Sequence, residues 1–245
     1  MMDVYDAARR YWDTDAATYD RARGHVARSP AERAAWRTAL AAHLPEQPDS
    51  VLDVGAGTGF LALAAARLGH QVTALDMSPA MLAGLTASAE RQGLAVRVVE
   101  GMANEPPPGP FAAVVARHLL WTLPDPVGAL RAWRRVAPEG RLVLFEGLWG
   151  TADAAEAWRA RARDRLRRLR RVPPDHHAEY DPEVRRQMPF GRGTHPDEIV
   201  NAVEAAGWGP ARLERLSDVE WTRRLQRPLV ERAFGVTPQF CVRAG

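Results

Sequence analysis

Short apolar runs alternate with stretches of helical periodicity along most of the chain. The apolar runs occupy residues 51–54, 71–75, 95–100, 112–116 and 141–145, with two more near 211–217 and 237–242. Helical periodicity fills residues 31–44, 60–68, 78–92, 126–136 and 196–206. A short apolar run bounded by helices is typical of a parallel strand that is buried on both faces. The pattern therefore predicts an α/β fold with a doubly wound, mainly parallel, seven-stranded sheet.

Two segments depart from this alternation. Residues 1–45 are helical and precede the first strand, and residues 151–193 interrupt the pattern after the fifth strand. The second segment contains an arginine-rich helix, the pairs Pro173-Pro174 and His176-His177, and a short helix near 182–188. No second domain or internal repeat is visible, so residues 1–245 are expected to form a single domain.

The first strand runs directly into a glycine-rich loop. Residues 51–59 read Val-Leu-Asp-Val-Gly-Ala-Gly-Thr-Gly, and an Ala/Leu-rich helix begins at Phe60. Glycines allow a sharp turn and let a ligand approach without Cβ atoms in the way. The following helix N-terminus is expected to point free N–H groups at that ligand. A dinucleotide-binding loop would place its third glycine where Phe60 stands, so the spacing disfavours a dinucleotide.

An acidic residue stands at the end of each of the first two strands. Asp53 precedes the glycine loop by two positions, and Asp76 ends the second strand. In doubly wound folds, an acid at the second position accepts hydrogen bonds from ribose hydroxyls. We expect Asp53, Asp76 and the loop to share one crevice at the carboxyl ends of the strands. A tight strand-to-helix turn that binds nothing is the alternative interpretation.

Together these residues resemble motif I of the class I S-adenosylmethionine (SAM)-dependent methyltransferases, whose fold is Rossmann-like. The resemblance implies that the loop receives the amino-acid end of SAM and that Asp76 holds the ribose. The loop residues are Gly55, Ala56, Gly57, Thr58 and Gly59. It also implies that Met77 covers the adenine, and that Tyr19 contacts the methionine end from an N-terminal lid within residues 1–45. Simple packing is the alternative role for Tyr19 and for Met77. By the same resemblance, the insertion at 151–193 covers the active site and contacts substrate.

After the third strand this family typically has Gly-Asp-Ala, whose acid accepts a hydrogen bond from the adenine amino group. This chain has Gly101, Met102 and Ala103 at that place, and Met102 cannot supply the acceptor. Backbone groups can still reach the adenine, and Glu100 or Asn104 could replace the missing side chain. An acid usual for the family just before the fourth strand is also missing here.

The candidate catalytic residues follow the fourth and fifth strands. Arg117 and His118 end the fourth strand, and we expect Arg117 in the cofactor site. His118, with an unperturbed pKa of about 6.5, could accept a proton from a hydroxyl or amine acceptor. Glu146 is the second candidate. Structural hydrogen bonding is the alternative role for both residues. A strong base is optional here, because methyl transfer from an activated sulfonium needs mainly alignment and exclusion of water.

All 33 basic residues are arginine, which explains a pI of about 9.6 at a formal net charge of only +3. Two alternative explanations of this composition are the codon bias of a GC-rich genome and an anion-binding surface. The densest cluster, residues 159–171, alternates with Ala, Leu and one Asp and is typical of a solvated helix face. It lacks the interleaved aromatics of a nucleic-acid platform, so no nucleic-acid partner is expected.

The cysteine, the histidines and the hydropathy of the chain bear on disulfides, metal sites and membrane segments. Cys241 is the single cysteine, so a disulfide or a cysteine-based zinc site within the chain is excluded. His176, His177 and His195 fit no helical ligand motif, so no metal site is expected. No apolar run approaches the roughly 18–20 residues that cross a membrane, and the first thirty residues lack a signal-peptide stretch. A cytoplasmic location without a membrane partner is therefore the expectation.

The leading hypothesis is a SAM-dependent methyltransferase that acts on a small-molecule acceptor, such as a specialised metabolite. A second hypothesis keeps SAM in the site but gives the protein another reaction, such as a cyclisation. A third is an RNA methyltransferase or RNA-binding protein that uses the arginine surface, and it predicts a steep loss of RNA affinity with salt. A homodimer is compatible with the sequence.

Overall fold

The computed structural model describes residues 4–22, 24–148, 154–172, 176–191, 193 and 195–245, and its centre is a sheet of seven strands. The strands are β1 (Ser50–Val54), β2 (Gln71–Asp76), β3 (Val96–Glu100), β4 (Ala113–Arg117), β5 (Arg141–Gly147), β6 (Arg212–Arg215) and β7 (Gln239–Ala244). Their order is β3-β2-β1-β4-β5-β7-β6. The first five strands are parallel, and β7 lies antiparallel to both β5 and β6. The predicted fold class is confirmed.

Helices cover both faces of the sheet. They are α1 (Val4–Tyr19), α2 (Pro30–His43), α3 (Phe60–Arg67), α4 (Pro79–Arg91), α5 (Pro126–Val136), α6 (Ala154–Leu169), α7 (Pro182–Arg186), α8 (Pro196–Ala205), α9 (Ser217–Leu225) and α10 (Leu229–Arg232). A short 3₁₀ helix, Leu120–Thr122, follows β4. The sequence did not predict α9 or α10, because α9 buries only Val219 and so shows no apolar periodicity.

Local sequence sets where several helices begin. Ser29 and Ser78 each accept a hydrogen bond from a backbone N–H in the first turn of α2 and α4, and a proline follows each serine. Asp125 does the same for α5. Such caps satisfy N–H groups that have no partner inside the helix, and proline loses nothing there because it has no N–H. The helix starts predicted at Ser29-Pro30 and Ser78-Pro79 are therefore confirmed.

Two apolar layers hold the sheet. Trp133 of α5 and Ile199 of α8 pack with Phe240 on one face. Trp36 of α2 packs with Phe145 of β5 on the other. Strands that are buried on both faces form the floor of any site at their carboxyl ends, which is where the site below lies.

A third, smaller cluster lies above the carboxyl edge of the sheet. There α1 packs against the segment around α7, and the buried members are Ala8, Tyr180, Val184 and Met188. We call α1 together with residues 176–191 the roof. The described parts of the insertion predicted at 151–193 thus include one half of this roof, while residues 149–153, 173–175, 192 and 194 lie outside the described residues.

The arginine-rich helix α6 is less exposed than the sequence predicted. Arg163 is largely buried, where it pairs with Glu156 at 2.5 Å and donates to the carbonyl of Phe234 at 3.0 Å. Arg170 pairs with Glu231 at 2.7 Å. These contacts attach α6 to the segment around α10, so part of the arginine cluster is structural. Across the helices in the described ranges, none is both long and apolar enough to cross a membrane.

Candidate functional site

A cavity of about 80 Å³ lies at the carboxyl ends of β1, β2 and β4, beneath α1. The predicted residues that line it are Tyr19, Gly55, Gly57, Asp76, Met77, Gly101, Met102, Ala103, Arg117 and His118. The remaining lining residues are Tyr5, Ala8, Trp12, Leu75, Met81, Leu119, Thr122 and Leu123. The cavity lies at the switch point of the sheet. There β1 lies between β2 and β4, and the strand order, which runs outward from β1 to β3 on one side, continues with β4 on the other.

The glycine loop makes a left-handed turn over the end of β2. Gly55 and Gly57 have φ of +66° and +54°, a region that residues with a Cβ rarely adopt. The N–H groups of Gly55 and Ala56 both donate to the carbonyl of Leu75, at 2.8 and 3.0 Å. These two groups are therefore used within the turn and are not donors to a ligand. The loop can therefore bind a ligand through its shape, because its glycines let the ligand come close to the backbone.

Asp76 is the polar centre of the cavity. Its two carboxylate oxygens accept hydrogen bonds from the N–H groups of Gly57 at 2.8 Å and Ser78 at 2.9 Å. Burial raises the pKa of Asp76, and the hydrogen bonds from Ser78 and Gly57 act in the opposite direction. Each carboxylate oxygen has a second lone pair, so Asp76 can still accept hydrogen bonds from a ligand.

Asp53 lies beneath the loop and does not line the cavity. It is 2% exposed, and the backbone N–H of Ala62 in α3 hydrogen-bonds its carboxyl group. Burial raises the pKa of Asp53 to about 8, with a further contribution from Asp76. Asp53 therefore joins β1 to α3 and supports the loop from below. The expected shared crevice contains Asp76 and the loop only.

Four other predicted residues also stand back from the cavity. Ala56 is buried in the core. Thr58 and Gly59 line a second, more open cavity of about 590 Å³ on the far side of the loop, and Thr58 donates to Asp20 at 2.7 Å. Glu146 is 4% exposed and lies behind His118.

The end of the cavity beyond Asp76 is apolar. Met77, Met102 and Leu123 line it, and the carbonyl of Ala103 is held by the indole N–H of Trp133 at 2.6 Å. Glu100, which could have replaced the missing acid, instead accepts a hydrogen bond from Arg9 at 2.6 Å. Asn104 is exposed and absent from the lining. Recognition at this end therefore depends on shape and on backbone groups.

Besides Tyr19, the roof supplies three lining residues that the sequence did not single out: Tyr5, Ala8 and Trp12. Tyr5, Ala8, Trp12 and Tyr19 of α1 all line the cavity. They are spaced by three, four or seven residues, which places them on one face of a helix. That spacing was visible in the sequence and could have identified the whole face. Trp12 both packs in the roof and lines the cavity.

Arg117 closes the cavity on the side of α2. Its guanidinium stacks 3.8 Å from the centroid of the Phe60 ring and donates to the carbonyl of Gly24. Burial lowers the pKa of Arg117 to about 9, and the neighbouring Arg223 contributes in the same direction. The guanidinium remains a cation at neutral pH, so this end of the cavity favours a carboxylate.

His118 and Glu146 form a pair beside Arg117. Their Nδ1 and Oε2 atoms lie 3.4 Å apart. Burial lowers the pKa of His118 well below 6.5, assisted by Arg117 and Arg223. Burial also raises the pKa of Glu146 to about 8, although the N–H groups of Leu120 and Leu119 oppose this. His118 is neutral at pH 7 and can accept a proton, while Glu146 orients its ring.

The histidines that the sequence raised as possible metal ligands have other partners. His176 and His177 bind Asp15, and His195 caps α8 by accepting from the N–H of Asp197 at 3.4 Å. Within the described ranges, no three His, Cys, Asp or Glu side chains are grouped as metal ligands would be.

Comparison with known proteins identifies the central part of the chain. Residues 52–144 match a family described as Methyltransferase domain. A ubiquinone biosynthesis O-methyltransferase of Xanthomonas oryzae pv. oryzae (strain PXO99A) is 43% identical over 100 residues, which are 38% of this chain and 41% of that protein. The chain therefore spans less than half the length of this curated relative.

Solved structures extend the similarity to the whole chain. Haemonchus contortus phosphoethanolamine N-methyltransferase 2, in complex with S-adenosyl-L-methionine, aligns with a TM-score of 0.64 at 16% identity, over 100% of this chain and 60% of its own. The CcbJ methyltransferase from Streptomyces caelestis aligns with a TM-score of 0.58 at 19% identity, over 95% and 96%. At such identities the likeness concerns the fold. Residues 52–144, which include the glycine loop and Asp76, thus match a methyltransferase domain, and the chain as a whole has the fold of solved methyltransferases.

Proposed function

We propose that this protein transfers a methyl group from SAM to a small-molecule acceptor. The observation that carries the proposal is the cavity at the switch point, where Asp76 and the glycine loop meet beneath α1. A nucleoside cofactor needs an acceptor for its ribose hydroxyls and a backbone that permits close approach. In this chain Asp76 is such an acceptor and the glycine loop is such a backbone, and the two are hydrogen-bonded to each other.

The lining residues fit SAM in chemistry. Asp76 would accept hydrogen bonds from the ribose, and the positive-φ turn at Gly57 leaves room above the loop. Met77 and Met102 would lie against the adenine, and Arg117 would face the carboxylate of the methionine end. Tyr19 would cover that end from the roof. Asp53 would contribute by holding the loop in place.

When bound, SAM supplies an activated methyl group, so this chain's residues mainly align the acceptor and exclude water. The roof performs the exclusion, since Trp12 and Tyr19 cover the cavity. His118 would take the proton of a hydroxyl acceptor as its oxygen is methylated, and Glu146 would hold the ring. This arrangement suits an acceptor that loses a proton on methylation.

The acceptor class is part of the proposal. The relative from Xanthomonas is named an O-methyltransferase, which supports a hydroxyl group as the methylated atom. The cleft lies beneath a roof, which suits a small molecule better than a macromolecule. We propose a hydroxylated small molecule, such as a specialised metabolite.

Calorimetry tests the cofactor site. Asp76→Ala should bind SAM at least about tenfold more weakly than the parent, because the ribose loses a charge-assisted acceptor. Asp218→Ala is the matched control, since Asp218 is exposed on α9 and lines neither cavity. Equal SAM binding by the Asp76 variant and the parent would remove the basis of the proposal.

A reaction other than methylation, such as a cyclisation, could use the same bound cofactor. Incubation with methyl-labelled SAM and a panel of phenols and other hydroxylated compounds separates the two activities. Label in any acceptor establishes transfer. Tight SAM binding with no transfer to the panel or to extracted metabolites favours the second activity.

A further inference from the structure

One residue on the cavity face of α1 does not line the cavity. Tyr5, Ala8, Trp12, Asp15 and Tyr19 are spaced by three or four residues and share one face of the helix. The other four line the cavity, whereas Asp15 is absent from the lining. Asp15 is nevertheless completely buried, with 0% exposure. A buried carboxylate on this face needs partners to offset its loss of hydration.

Those partners come from the other half of the roof. His176 donates from Nδ1 to Oδ2 of Asp15 at 2.8 Å. His177 donates to Oδ1 twice, from its backbone N–H at 2.8 Å and from Nδ1 at 3.0 Å. Burial alone would raise the pKa of Asp15, but the hydrogen bonds from His176 and His177 hold it well below its usual value. Asp15 therefore stays ionised and binds a segment 161 residues away in the chain.

Aromatic rings surround this carboxylate. The ring of Tyr11 lies 4.7 Å from that of His177, and its hydroxyl donates to the carbonyl of Ala178 at 2.9 Å. The ring of His176 lies 6.0 Å from Trp12 and 5.1 Å from His25. Water reaches this carboxylate poorly, so its hydrogen bonds are stronger than those of an exposed pair.

The opposite side of α1 packs against α4 in the body of the protein. Asp13 accepts from the hydroxyl of Ser78 at 2.6 Å, and Arg9 pairs with Glu100 at 2.6 Å. The Arg9–Glu100 pair is about half exposed on both sides, and such pairs contribute little. α1 meets the insertion through the apolar cluster around Tyr180 and, among its polar side chains, through the fully buried carboxylate of Asp15.

The cavity must enlarge to admit a cofactor. Its volume of about 80 Å³ is well below the roughly 300–1,000 Å³ of typical small-molecule sites. The floor is made of buried strands and the glycine loop. An enlargement must therefore displace the roof, whose two halves meet at Asp15 and at the apolar cluster around Tyr180.

We propose that Asp15 is a positioning residue that joins the two halves of the roof and thereby controls the release of the cofactor. This inference rests on the proposed SAM site. Opening the roof between α1 and residues 176–177 breaks the three hydrogen bonds that join Asp15 to His176 and His177, so these bonds set the rate at which bound cofactor escapes. Asp15 touches neither cofactor nor acceptor and acts through the residues it holds.

The test is the dissociation rate of tritiated SAM from the full-length chain, chased with excess unlabelled S-adenosylhomocysteine. Asp15→Asn leaves the size unchanged but replaces one acceptor oxygen by a donor that opposes an imidazole N–H. We expect SAM to dissociate at least about tenfold faster, since several charge-assisted hydrogen bonds are lost. Asp6→Asn, an exposed change on the same helix, should dissociate SAM at the parent rate.

The insertion side provides an independent variant if Asp15→Asn does not fold. The double change His176→Gln and His177→Gln removes the same bonds from partly exposed residues and should raise the dissociation rate similarly. When this double change is combined with Asp15→Asn, the dissociation rate should rise little further, because the two sets of substitutions remove the same interaction. A purely structural role would lower the unfolding temperature of the SAM-free protein and leave the dissociation rate unchanged.

The outcomes separate this inference from the proposed function. A parent chain that does not bind SAM overturns both. If the parent binds SAM and the Asp15 and His176/His177 variants release it at the parent rate, the role of Asp15 alone is overturned. A larger increase from Asp13→Asn than from Asp15→Asn would also overturn it, because the roof would then lift from the body of the protein as one unit.

Discussion

The Oδ2 atom of Asp76 accepts a hydrogen bond from the backbone N–H of Gly57 at 2.8 Å. This bond joins the end of β2 to the glycine loop after β1, so the ribose acceptor and the loop are positioned by one another. Asp76 also holds Ser78 at the start of α4. A change at either partner of the Asp76–Gly57 bond should therefore affect cofactor binding.

Gly57→Ala tests the loop. Gly57 has φ of +54°, and an added Cβ would lie in the cavity 3.9 Å from Tyr19. The left-handed backbone costs a residue with a Cβ about 1–2 kcal/mol. We expect a loss of stability of that size and SAM binding at least about tenfold weaker by calorimetry. Gly93→Ala is the control, because Gly93 has φ of +62° and open space around it. It should lose similar stability and keep its affinity, and equal affinities for the two variants would contradict the assignment of the loop.

Trp133→Phe tests the apolar end of the cavity. The indole N–H of Trp133 holds the carbonyl of Ala103, a lining residue. Its loss leaves a buried carbonyl without its donor, which costs about 1–3 kcal/mol in unfolding free energy. We expect SAM affinity to fall several-fold as well. Trp208→Phe removes the similar bond to Leu130 at 2.9 Å, away from the cavity. If thermal melts show comparable losses but both variants bind SAM like the parent, Ala103 is not part of the site.

Glu146 and Asp53 should each contribute a loss of stability as pH rises. The folded state holds the proton of Glu146 up to a pKa of about 8, against 4.5 in the unfolded chain. Between these values the folded state binds more protons, so the free energy of unfolding falls with rising pH. The slope from one such group is at most about 1.4 kcal/mol per pH unit. Asp53 acts in the same direction.

Glu146→Gln keeps the shape of the protonated acid and removes its titration. Denaturant unfolding between pH 5 and 8, the interval on the order of three units in which the shift acts, should show a shallower decline than in the parent. Glu139→Gln, at an exposed position, should follow the parent curve. A Glu146→Gln variant whose curve has the same slope as the parent's would show that Glu146 is ionised in the folded state.

His118→Gln tests the proton acceptor, once labelled SAM has identified a hydroxyl substrate. The rate of transfer should fall by roughly 10²–10⁴-fold, while SAM affinity stays close to that of the parent. Because the pKa of His118 lies well below 6.5, the parent rate should be flat above neutral pH. His195→Gln serves as control on the exposed start of α8. Unchanged transfer by His118→Gln would assign this histidine a structural role.

Much of the fold was predictable from local signals. Apolar runs located β1, β2, β4 and β5, because strands buried on both faces require continuous apolar residues. Serine followed by proline located the starts of α2 and α4. The polar helix α9 escaped, since only Val219 is buried and the segment shows no apolar face.

Within the site, sequence spacing identified the glycine loop, Asp76 and the residues after β3 and β4 as neighbours. It could not separate Asp76 from Asp53, which occupy similar positions at strand ends. The pleat alternates side chains between faces and the helix after β1 covers Asp53, so only one of the two acids lines the cavity. It also could not show that the carbonyl of Leu75 takes the N–H groups of Gly55 and Ala56.

The amino-acid sequence by itself determined the order of strands and helices, the glycine turn and the resemblance to SAM-dependent methyltransferases. These follow from short-range periodicity and from spacing within about thirty residues. Only the tertiary structure decided which side chains line the cavity, and that Asp15 of α1 binds His176 and His177. Those pairings join residues distant in the chain, and burial rather than local propensity makes them favourable.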